Sequence, residues 1–378
     1  MNEYPAISWT EAEAIHSARW RSESGVAPPK KVIIADDRMA ADVAYKLACE
    51  GTALLWRGDF QNARQLLQAL TRRTDRKPRK PATSPNAAFN LQRQAQSQRA
   101  RTLAMLLLPL ESDYSIPLRR APDVRQACME AYGPEENAPS VVSLRELLGL
   151  IGAHEWRKKG VDIPALGKRI HPHYGVFAPV RGEYVSLVAC APLPSGNAPL
   201  SLAFDIGTGT GVLAAVLAQR GVKHIVATDQ DPRALACASE NITRLDLSEH
   251  IEVIQADLFP AGRAPLIVCN PPWVPARPSS PLEHAVYDPD SRMLRGFLSG
   301  LVAHLEPGGE GWLILSDLAE HLGLRTRAEL LAAIEEAGLK IVDRMDVRPV
   351  HPRASDETDP LHAARAAEVT SLWRLAAR

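Results

Sequence analysis

Four predicted strands in the carboxyl-terminal part of this 378-residue chain each end in a polar side chain. Helical spacing of apolar residues separates the strands, and a strand–helix alternation is typical of an open sheet with helices on both faces. Ligands of such sheets bind outside the carboxyl ends of the strands. We therefore expect a doubly wound α/β domain with one binding site at these ends. The four polar residues are Asp205, Asp229, Asp257 and Asn270.

A glycine-rich turn follows the first of these strands, because residues 207–211 are Gly-Thr-Gly-Thr-Gly. The spacing differs from the Gly-x-Gly-x-x-Gly of dinucleotide enzymes, and the Lys-Ser or Lys-Thr of a phosphate loop does not follow. Glycines let the backbone approach a ligand closely. Asp205, just before the turn, would repel a pyrophosphate, whereas it suits a ligand that carries a cationic amino group.

The next two strand ends offer acceptors and donors for a nucleoside. Asp229 is positioned to accept hydrogen bonds from ribose hydroxyls, and Asp231 is an alternative for that role. Asp257 can accept from an exocyclic adenine amine, while the Leu258 backbone N–H can reach a ring nitrogen. A ligand with a cation, a ribose and an adenine but no phosphate is S-adenosylmethionine, which we predict as the cofactor.

The tetrapeptide Asn270-Pro-Pro-Trp273 after the fourth strand indicates what accepts the transferred group. The Asn270 side-chain carbonyl and the Pro271 backbone carbonyl can both accept hydrogen bonds from one NH2 group. The Trp273 ring offers a flat face for a planar amide or base. The two hydrogen bonds would orient a nitrogen lone pair toward the methyl group and stabilise positive charge growing on it.

Residues 204–211, Phe-Asp-Ile-Gly-Thr-Gly-Thr-Gly, resemble the first motif of class I S-adenosylmethionine methyltransferases. With Asn270-Pro-Pro-Trp273 they are similar to the small-domain group, which includes HemK-type protein-glutamine enzymes, RsmC-like ribosomal RNA guanine enzymes and adenine-N6 enzymes. The resemblance covers about residues 170–378 and implies a Rossmann-like domain with a seven-stranded sheet. Most relatives carry Tyr or Phe at the position of Trp273. The predicted cofactor residues are Asp205, Gly207, Thr208, Gly209, Gly211, Asp229, Asp257, Leu258 and Asn270, and the predicted target residues are Asn270, Pro271 and Trp273.

Two acceptors of the methyl group are compatible with these motifs. An exocyclic base amine in ribosomal or transfer RNA is favoured by a basic segment and by the RsmC-like architecture, in which a first domain copy no longer binds cofactor. A glutamine in a translation protein is favoured by the loop after Trp273, where Leu282-Glu283 and Tyr287-Asp-Pro289 are similar to HemK-type enzymes. Residues 175–183 match the corresponding HemK-type segment only loosely. A non-catalytic scaffold with a relict cofactor fold is a third hypothesis.

The amino-terminal part, residues 1–165, is predicted as a smaller α/β domain with a parallel sheet and a role in substrate recognition. None of its predicted strands is followed by a glycine-rich turn, so we expect no cofactor there. Residues 71–101 are predicted as a basic loop with a net charge of +8, which leaves −8 for the rest of the chain. Such a loop can contact phosphates, or it can be a solvated linker. Residues 166–378 would form the methyltransferase domain.

Composition narrows the class of protein further. The five cysteines show no Cys-x-x-Cys pairing, which argues against a disulfide framework or a zinc site. His171-Pro-His173 lacks a third ligand, so we expect no metal. The first residues do not read as a secretory signal, and the longest apolar stretch, residues 103–110, is too short to span a bilayer. We therefore expect a cytoplasmic protein without membrane partners.

Overall fold

A computed structural model describes residues 4–76, 82–135, 138–180, 182–194, 200–278, 283, 285–350 and 356–378. The chain forms two compact units: Met1–Ala82 with Asn90–Glu155, and Thr83–Phe89 with Trp156–Arg378. Each unit contains its own β-sheet. The roles that we assigned to residues 1–165 and 166–378 remain predictions. Of the helices in the described ranges, none is long and apolar enough to cross a membrane.

The first unit has a six-stranded sheet in the order β1-β2-β6-β5-β4-β3. This confirms the predicted small α/β domain. The expected parallel pairing holds for β3–β4 and β4–β5, but the sheet is mixed, since β1–β2 and β5–β6 pair antiparallel. The β1–β2 hairpin was missed because Ala12 and Glu13 form its turn with positive φ angles of 48° and 65°. Such turns usually carry Gly, Asn or Asp, so the sequence gives no turn signal there. The strands are β1 (Ala6–Glu11), β2 (Ala14–Arg21), β3 (Lys31–Ala35), β4 (Thr52–Trp56), β5 (Leu106–Leu110) and β6 (Ser140–Ser143).

The helices in this part of the chain correct the prediction for the basic segment. They are α1 (Ala41–Cys49), α2 (Phe60–Asp75), α3 (Pro85–Leu103), α4 (Arg125–Tyr132) and α5 (Leu144–Lys159). Residues 71–101 are therefore mostly helical rather than a loop, because α2 and α3 occupy most of this range. Arg73 pairs with Asp42 at 2.8 Å, and Arg99 pairs with Asp75 at 2.8 Å. The basic residues Lys77, Arg79 and Lys80 lie outside the described residues.

The second unit has a seven-stranded sheet in the order β11-β10-β9-β12-β13-β15-β14, which confirms the predicted Rossmann-like architecture. Strands β9 to β13 pair in parallel, and β15 runs antiparallel to both of its neighbours. A separate pair, β7–β8, is antiparallel. The strands are β7 (Val161–Ile163), β8 (Lys168–Ile170), β9 (Leu202–Ile206), β10 (His224–Asp229), β11 (Ile251–Gln255), β12 (Ala264–Cys269), β13 (Leu305–Ser316), β14 (Leu339–Val347) and β15 (Thr370–Ala377). The helices are α6 (Glu183–Cys190), α7 (Val212–Gln219), α8 (Pro232–Arg244), α9 (Arg292–His304), α10 (Leu318–His321), α11 (Arg327–Glu336) and α12 (His362–Ala367).

Strands β9 and β12 lie side by side in the middle of this sheet and are apolar on both faces. Ala203 and Val268 belong to one buried cluster, whereas Phe204 and Ile267 belong to another. Successive side chains of a strand point to opposite faces, so a strand covered on both sides needs a continuous apolar run. The carboxyl ends of β9 and β12 are therefore held from both faces by packed side chains.

Candidate functional site

The glycine-rich turn connects β9 to α7 and adopts a left-handed backbone at each of its glycines. The φ angles are 71° at Gly207, 56° at Gly209 and 80° at Gly211. Other L-residues disfavour this region because of their Cβ atom. A Cβ at Gly207 would also lie 2.4 Å from Met293 Cε, whereas a Cβ at Gly209 would have no atom within 4 Å. The turn thus leaves open space above Gly209, where a ligand could lie against the backbone.

Asp205 lies beneath this turn and is 1% exposed. Its Oδ2 accepts hydrogen bonds from Thr208 Oγ1 at 2.7 Å and from the Ala214 backbone N–H at 3.1 Å. Burial raises the pKa of Asp205 to about 6, and the two hydrogen bonds oppose that shift. Among the described residues Oδ1 has no donor, which leaves one oxygen for a ligand. Asp205 therefore organises the turn, and its Oδ1 is not used for that purpose.

Asp229, at the end of β10, is the acid that contacts the glycine turn directly. Its Oδ2 accepts from the Gly209 backbone N–H at 3.1 Å, and its Oδ1 accepts from the Asp231 backbone N–H at 3.0 Å. Burial raises the pKa of Asp229. The Asp231 side chain instead accepts from the Arg233 N–H at the start of α8, where it caps the helix. The geometry favours Asp229 over Asp231 for a ligand that lies on the turn.

Asp257, after β11, is exposed and engages two side chains that the sequence did not point to. Its Oδ1 accepts from Gln230 Nε2, and its Oδ2 accepts from Arg292 Nη2 at 2.9 Å. The next residue, Leu258, has a φ of 73°, which is rare for a branched side chain and frequent at ligand sites. Thr228 Oγ1 donates to the Leu258 carbonyl at 2.6 Å. The role of Asp257 as an acceptor for the adenine amine stays a prediction. In the structure, its carboxylate is hydrogen-bonded to Gln230 and Arg292.

The predicted target tetrapeptide follows β12 directly beside the glycine turn. Cys269 pairs with Ile206 in the parallel β12–β9 ladder, so Asn270 and Gly207 are the next residues on neighbouring strands. Trp273 Nε1 donates a hydrogen bond to Asn270 Oδ1 at 2.9 Å. A carbonyl oxygen has two lone pairs, so one remains for another donor. Phe could not make this hydrogen bond, and the indole therefore fixes the orientation of the Asn270 amide.

The segment after the tetrapeptide is held in place by backbone pairing and by the hydrogen bonds of a buried acid. Val274 bridges Tyr287, and its carbonyl accepts from the Asp288 N–H at 2.9 Å. The Asp288 carboxylate accepts from the backbone N–H groups of Met293 and Leu294 at 3.0 and 3.1 Å. Asp288 is buried, and burial raises its pKa. The Tyr287-Asp-Pro289 motif thus supplies, through Asp288, acceptors for the first turn of α9. The motif alone did not indicate this structural role.

The His-Pro-His motif is engaged in protein contacts. His171 Nδ1 lies 2.6 Å from the Arg157 carbonyl, and His173 Nε2 lies 2.7 Å from Glu240 Oε2. Within the described ranges, no group of three or more His, Cys, Asp or Glu residues could hold a metal ion. These two histidines therefore connect the start of the second unit to α8.

Comparisons with known proteins identify a matching family model and sequence relatives of this chain. Residues 168–327 match the family model described as "Methyltransferase small domain". The tRNA1(Val) (adenine(37)-N6)-methyltransferase of Shewanella loihica is 32% identical over 199 residues, which cover 49% of this chain and 76% of that protein. The release factor glutamine methyltransferase of Cereibacter sphaeroides is 34% identical over 155 residues, which cover 37% of this chain and about half, 53%, of that protein.

A solved structure, the ribosomal protein L11 methylase of Lactobacillus delbrueckii subsp. bulgaricus, shares 20% identity over 53% of this chain and 82% of that chain, with a TM-score of 0.36. The glycine turn, the strand-end acids and the sequence relatives define the class: this is an S-adenosylmethionine-dependent methyltransferase. Within that class the chain belongs to the methyltransferase small-domain family. The resemblance drawn from the sequence is therefore confirmed.

The hydrogen-bond acceptors at the strand ends fit the cofactor of this class. Carboxylates at Asp205 and Asp229 suit an ammonium group and ribose hydroxyls, and the glycine turn has space for a ligand above Gly209. A pyrophosphate would meet the buried carboxylate of Asp205 and the partly buried carboxylate of Asp229 here. The individual assignments to cofactor and target remain predictions that mutagenesis can test.

Proposed function

We propose that this chain transfers a methyl group from S-adenosylmethionine to an exocyclic base amine in ribosomal or transfer RNA. One observation carries the proposal: Asn270 and Gly207 follow Cys269 and Ile206, which are paired residues of adjacent parallel strands. An acceptor held by Asn270 would therefore lie next to a cofactor held by the glycine turn. Bringing the reacting groups together in this way is a large part of catalysis for two-substrate reactions.

Bound S-adenosylmethionine would supply an electrophilic methyl group: the acceptor nitrogen would form the new N–C bond while the S–C bond breaks and its electron pair stays on sulfur. The amine proton would then leave to water. The chain's own residues hold the two partners. Asp205 Oδ1 would bind the ammonium group, and Asp229 would accept from the ribose. Asn270 Oδ1 and the Pro271 carbonyl would accept the two N–H groups of the acceptor.

The Trp273 indole contributes by holding the Asn270 amide before the acceptor arrives. Its hydrogen bond occupies one lone pair of Asn270 Oδ1 and leaves the other for the acceptor. Preorganised acceptors cost no reorganisation when charge develops in the transition state. Trp273 is partly buried and packs against apolar clusters on both faces of the sheet, so its orientation is fixed.

The RNA acceptor is supported by a sequence relative of which this chain covers 76%, a tRNA adenine-N6 enzyme. The net charge of +8 over residues 71–101 also suits a nucleic acid. A protein glutamine is the second candidate, because the release factor glutamine methyltransferase is 34% identical over the matched residues. Both acceptors present a flat NH2-bearing group to Asn270.

Labelling separates the two acceptors. The purified protein is incubated with methyl-labelled S-adenosylmethionine and a lysate of cells that lack its gene. The expected result is label that nuclease releases and protease does not. Label that only protease releases would overturn the RNA acceptor in favour of glutamine. If calorimetry detects no binding of S-adenosylmethionine at submillimolar concentration, the result would instead favour a non-catalytic scaffold.

Asn270→Ala tests the role of the amide. Loss of one preorganised acceptor in the transition state costs about 3 kcal/mol, or about 100-fold in kcat. The dissociation constant for the cofactor should stay within about twofold, because Asn270 mainly holds the acceptor. Asn270→Asp, which keeps the acceptor oxygen, is the matched control and should retain more activity. An unchanged kcat in Asn270→Ala would show that the amide has no such role.

A further inference from the structure

Residues 83–89 come from the amino-terminal part of the chain, yet they belong to the second unit. They contain the start of α3. Ser84 caps this helix, since its Oγ accepts a hydrogen bond from the Ala87 backbone N–H at 3.2 Å, and Pro85 suits the first helical position. The local sequence therefore fixes where α3 begins. This start places Phe89 one turn into the helix.

Phe89 packs into a small apolar cluster that lies outside the sheet. Its side chain is 4% exposed. The Phe89 ring meets the Tyr287 ring edge to face, with the centroids 6.4 Å apart and an angle of 66° between the planes, which is a favourable arrangement for two aromatic rings. Trp273 and Tyr287 are partly buried and pack against this group, which we call the Phe89 cluster. The buried members that the structure describes are Phe89, Val274, Leu318, Leu322, Leu361 and Ala364.

A second contact holds the same turn of α3 in place. Asn86 Nδ2 donates a hydrogen bond to the Gly323 carbonyl at 3.3 Å, in the turn that follows α10. Residues three apart on a helix lie on the same face, so Asn86 and Phe89 both face the second unit. Ala88, between them and Asn90, also packs against the Phe89 cluster. The start of α3 is therefore attached to this unit by a hydrogen bond and by apolar packing.

Tyr287 connects Phe89 to the predicted acceptor residue. Tyr287 forms a β-bridge with Val274, the residue that follows the target tetrapeptide. Trp273, just before Val274, packs against the Phe89 cluster and donates its indole hydrogen bond to Asn270 Oδ1. The indole that orients the Asn270 amide is therefore supported, on the side away from the sheet, by packing that includes Phe89.

The Phe89 cluster lies on the acceptor side of the site. It joins the segment after β12 to α10 and α12, whereas the glycine turn follows β9 and Asp229 ends β10. None of the predicted cofactor residues, all of which the structure describes, is a member of this cluster. A change at Phe89 should therefore disturb the acceptor and leave the cofactor in place.

We infer that Phe89 is a positioning residue for the methyl acceptor. It packs the loop after the target tetrapeptide so that Trp273 holds the Asn270 amide toward the acceptor nitrogen. This inference rests on the proposed role of Asn270, and it applies to a base amine and to a glutamine alike. Phe89 itself touches no reacting atom. The amino-terminal part of the chain thus contributes to the acceptor side of the site through one aromatic side chain.

Phe89→Ala tests the inference, because loss of the ring leaves a cavity beside the loop. Its kcat should fall about 10-fold, between the about fivefold loss expected without the Trp273 hydrogen bond and the about 100-fold loss expected without the Asn270 amide. The cofactor dissociation constant should stay within about twofold, as for independent sites. Phe89→Leu fills most of the cavity but lacks the ring contact with Tyr287, so its kcat should fall only about threefold.

Relative kcat values come from transfer of label from methyl-labelled S-adenosylmethionine to a saturating lysate of cells that lack the gene, and calorimetry gives the cofactor dissociation constant. Ile334→Ala is the matched control. Ile334 is equally buried, and it lies on α11, which packs on the edge strand β14, two strands away from β12. This variant also has a cavity but should keep the wild-type kcat. An equal loss of kcat in Ile334→Ala would overturn the inference.

Combination with Asn270→Ala distinguishes positioning from general damage. If Phe89 acts through the Asn270 amide, Phe89→Ala should change kcat by less than about twofold once that amide is absent, because the effects of coupled residues are not additive. An equal loss of kcat in both backgrounds would refute the inference. So would a cofactor dissociation constant that rises as much as kcat falls.

The outcomes separate the two proposals. If Asn270→Ala lowers kcat and Phe89→Ala keeps the wild-type kcat, the positioning role is refuted while the proposed function stands. If Asn270→Ala keeps the wild-type kcat, the role of Asn270 fails and the positioning role fails with it. If Phe89→Ala does not fold, Phe89→Leu decides, and a wild-type kcat in that variant overturns the inference.

Discussion

Replacing Asp205 with Asn should stabilise the ligand-free protein and weaken cofactor binding. Asp205 is almost fully buried, and burial raises its pKa from 3.8 to about 6. One pKa unit corresponds to 1.36 kcal/mol, so the ionised carboxylate destabilises the folded state by about 3 kcal/mol at pH 7.5. An Asn at this position carries no charge, and its carbonyl can still accept from Thr208 and Ala214.

The direction of the pH dependence follows from the raised pKa. Between pH 3.8 and about 6 the folded protein binds more protons at Asp205 than the unfolded chain does. The stabilising contribution of this residue is therefore fully present below pH 3.8 and is lost as the pH rises through about 6. Asp205→Asn removes this dependence, so the variant should exceed the wild type in stability at pH 7.5 and lose that advantage near pH 4.

Asp205→Asn should weaken cofactor binding, although it should stabilise the ligand-free protein. A hydrogen bond between two charged groups contributes about 2 kcal/mol, so loss of the Asp205 charge should weaken S-adenosylmethionine binding about 30-fold at pH 7.5. Wild-type affinity should itself fall as the pH drops below about 6, because Asp205 becomes protonated. The affinity of Asp205→Asn should lack this decrease.

Denaturant unfolding of the ligand-free protein and calorimetry with S-adenosylmethionine measure both effects. Glu249→Gln, an exposed acid-to-amide change, is the control and should alter neither quantity. The reasoning is refuted if Asp205→Asn is less stable than the wild type at pH 7.5. It is equally refuted if that variant binds the cofactor as tightly as the wild type does.

Two further substitutions test the turn and the target loop. Gly207→Ala should lower cofactor affinity at least about 10-fold, because its Cβ would lie 2.4 Å from Met293 Cε at a φ of 71°. Gly221→Ala is the control: this glycine also has a positive φ, but a Cβ there would have no atom within 4 Å, so the substitution should lower stability alone. Calorimetry with S-adenosylmethionine compares the two variants. Trp273→Phe removes one hydrogen bond of about 1 kcal/mol and should lower kcat about fivefold in single-turnover assays without changing the cofactor dissociation constant. Equal kcat values for Trp273→Phe and wild type would show that the indole N–H does not position Asn270.

Local signals explain why so much of the second unit was predictable. The glycine turn, the apolar runs and the polar strand ends are encoded by residues that are adjacent in the sequence, and the α/β rule then brings those ends together. The first unit was less predictable, because its hairpin turn at Ala12 and Glu13 lacks the usual turn residues. Helix α3 was missed because its basic and polar residues form no clear apolar stripe.

Local motifs were enough to predict the family, the cofactor and the strand ends at which we expect the site. The hydrogen-bond partners of these side chains depend on how the chain folds: Trp273 donates to Asn270, and Arg292 donates to Asp257. The burial of Asp205, which raises its pKa to about 6, also depends on the tertiary structure. Burial and hydrogen-bond partners depend on residues far apart in the chain, so no local pattern encodes them.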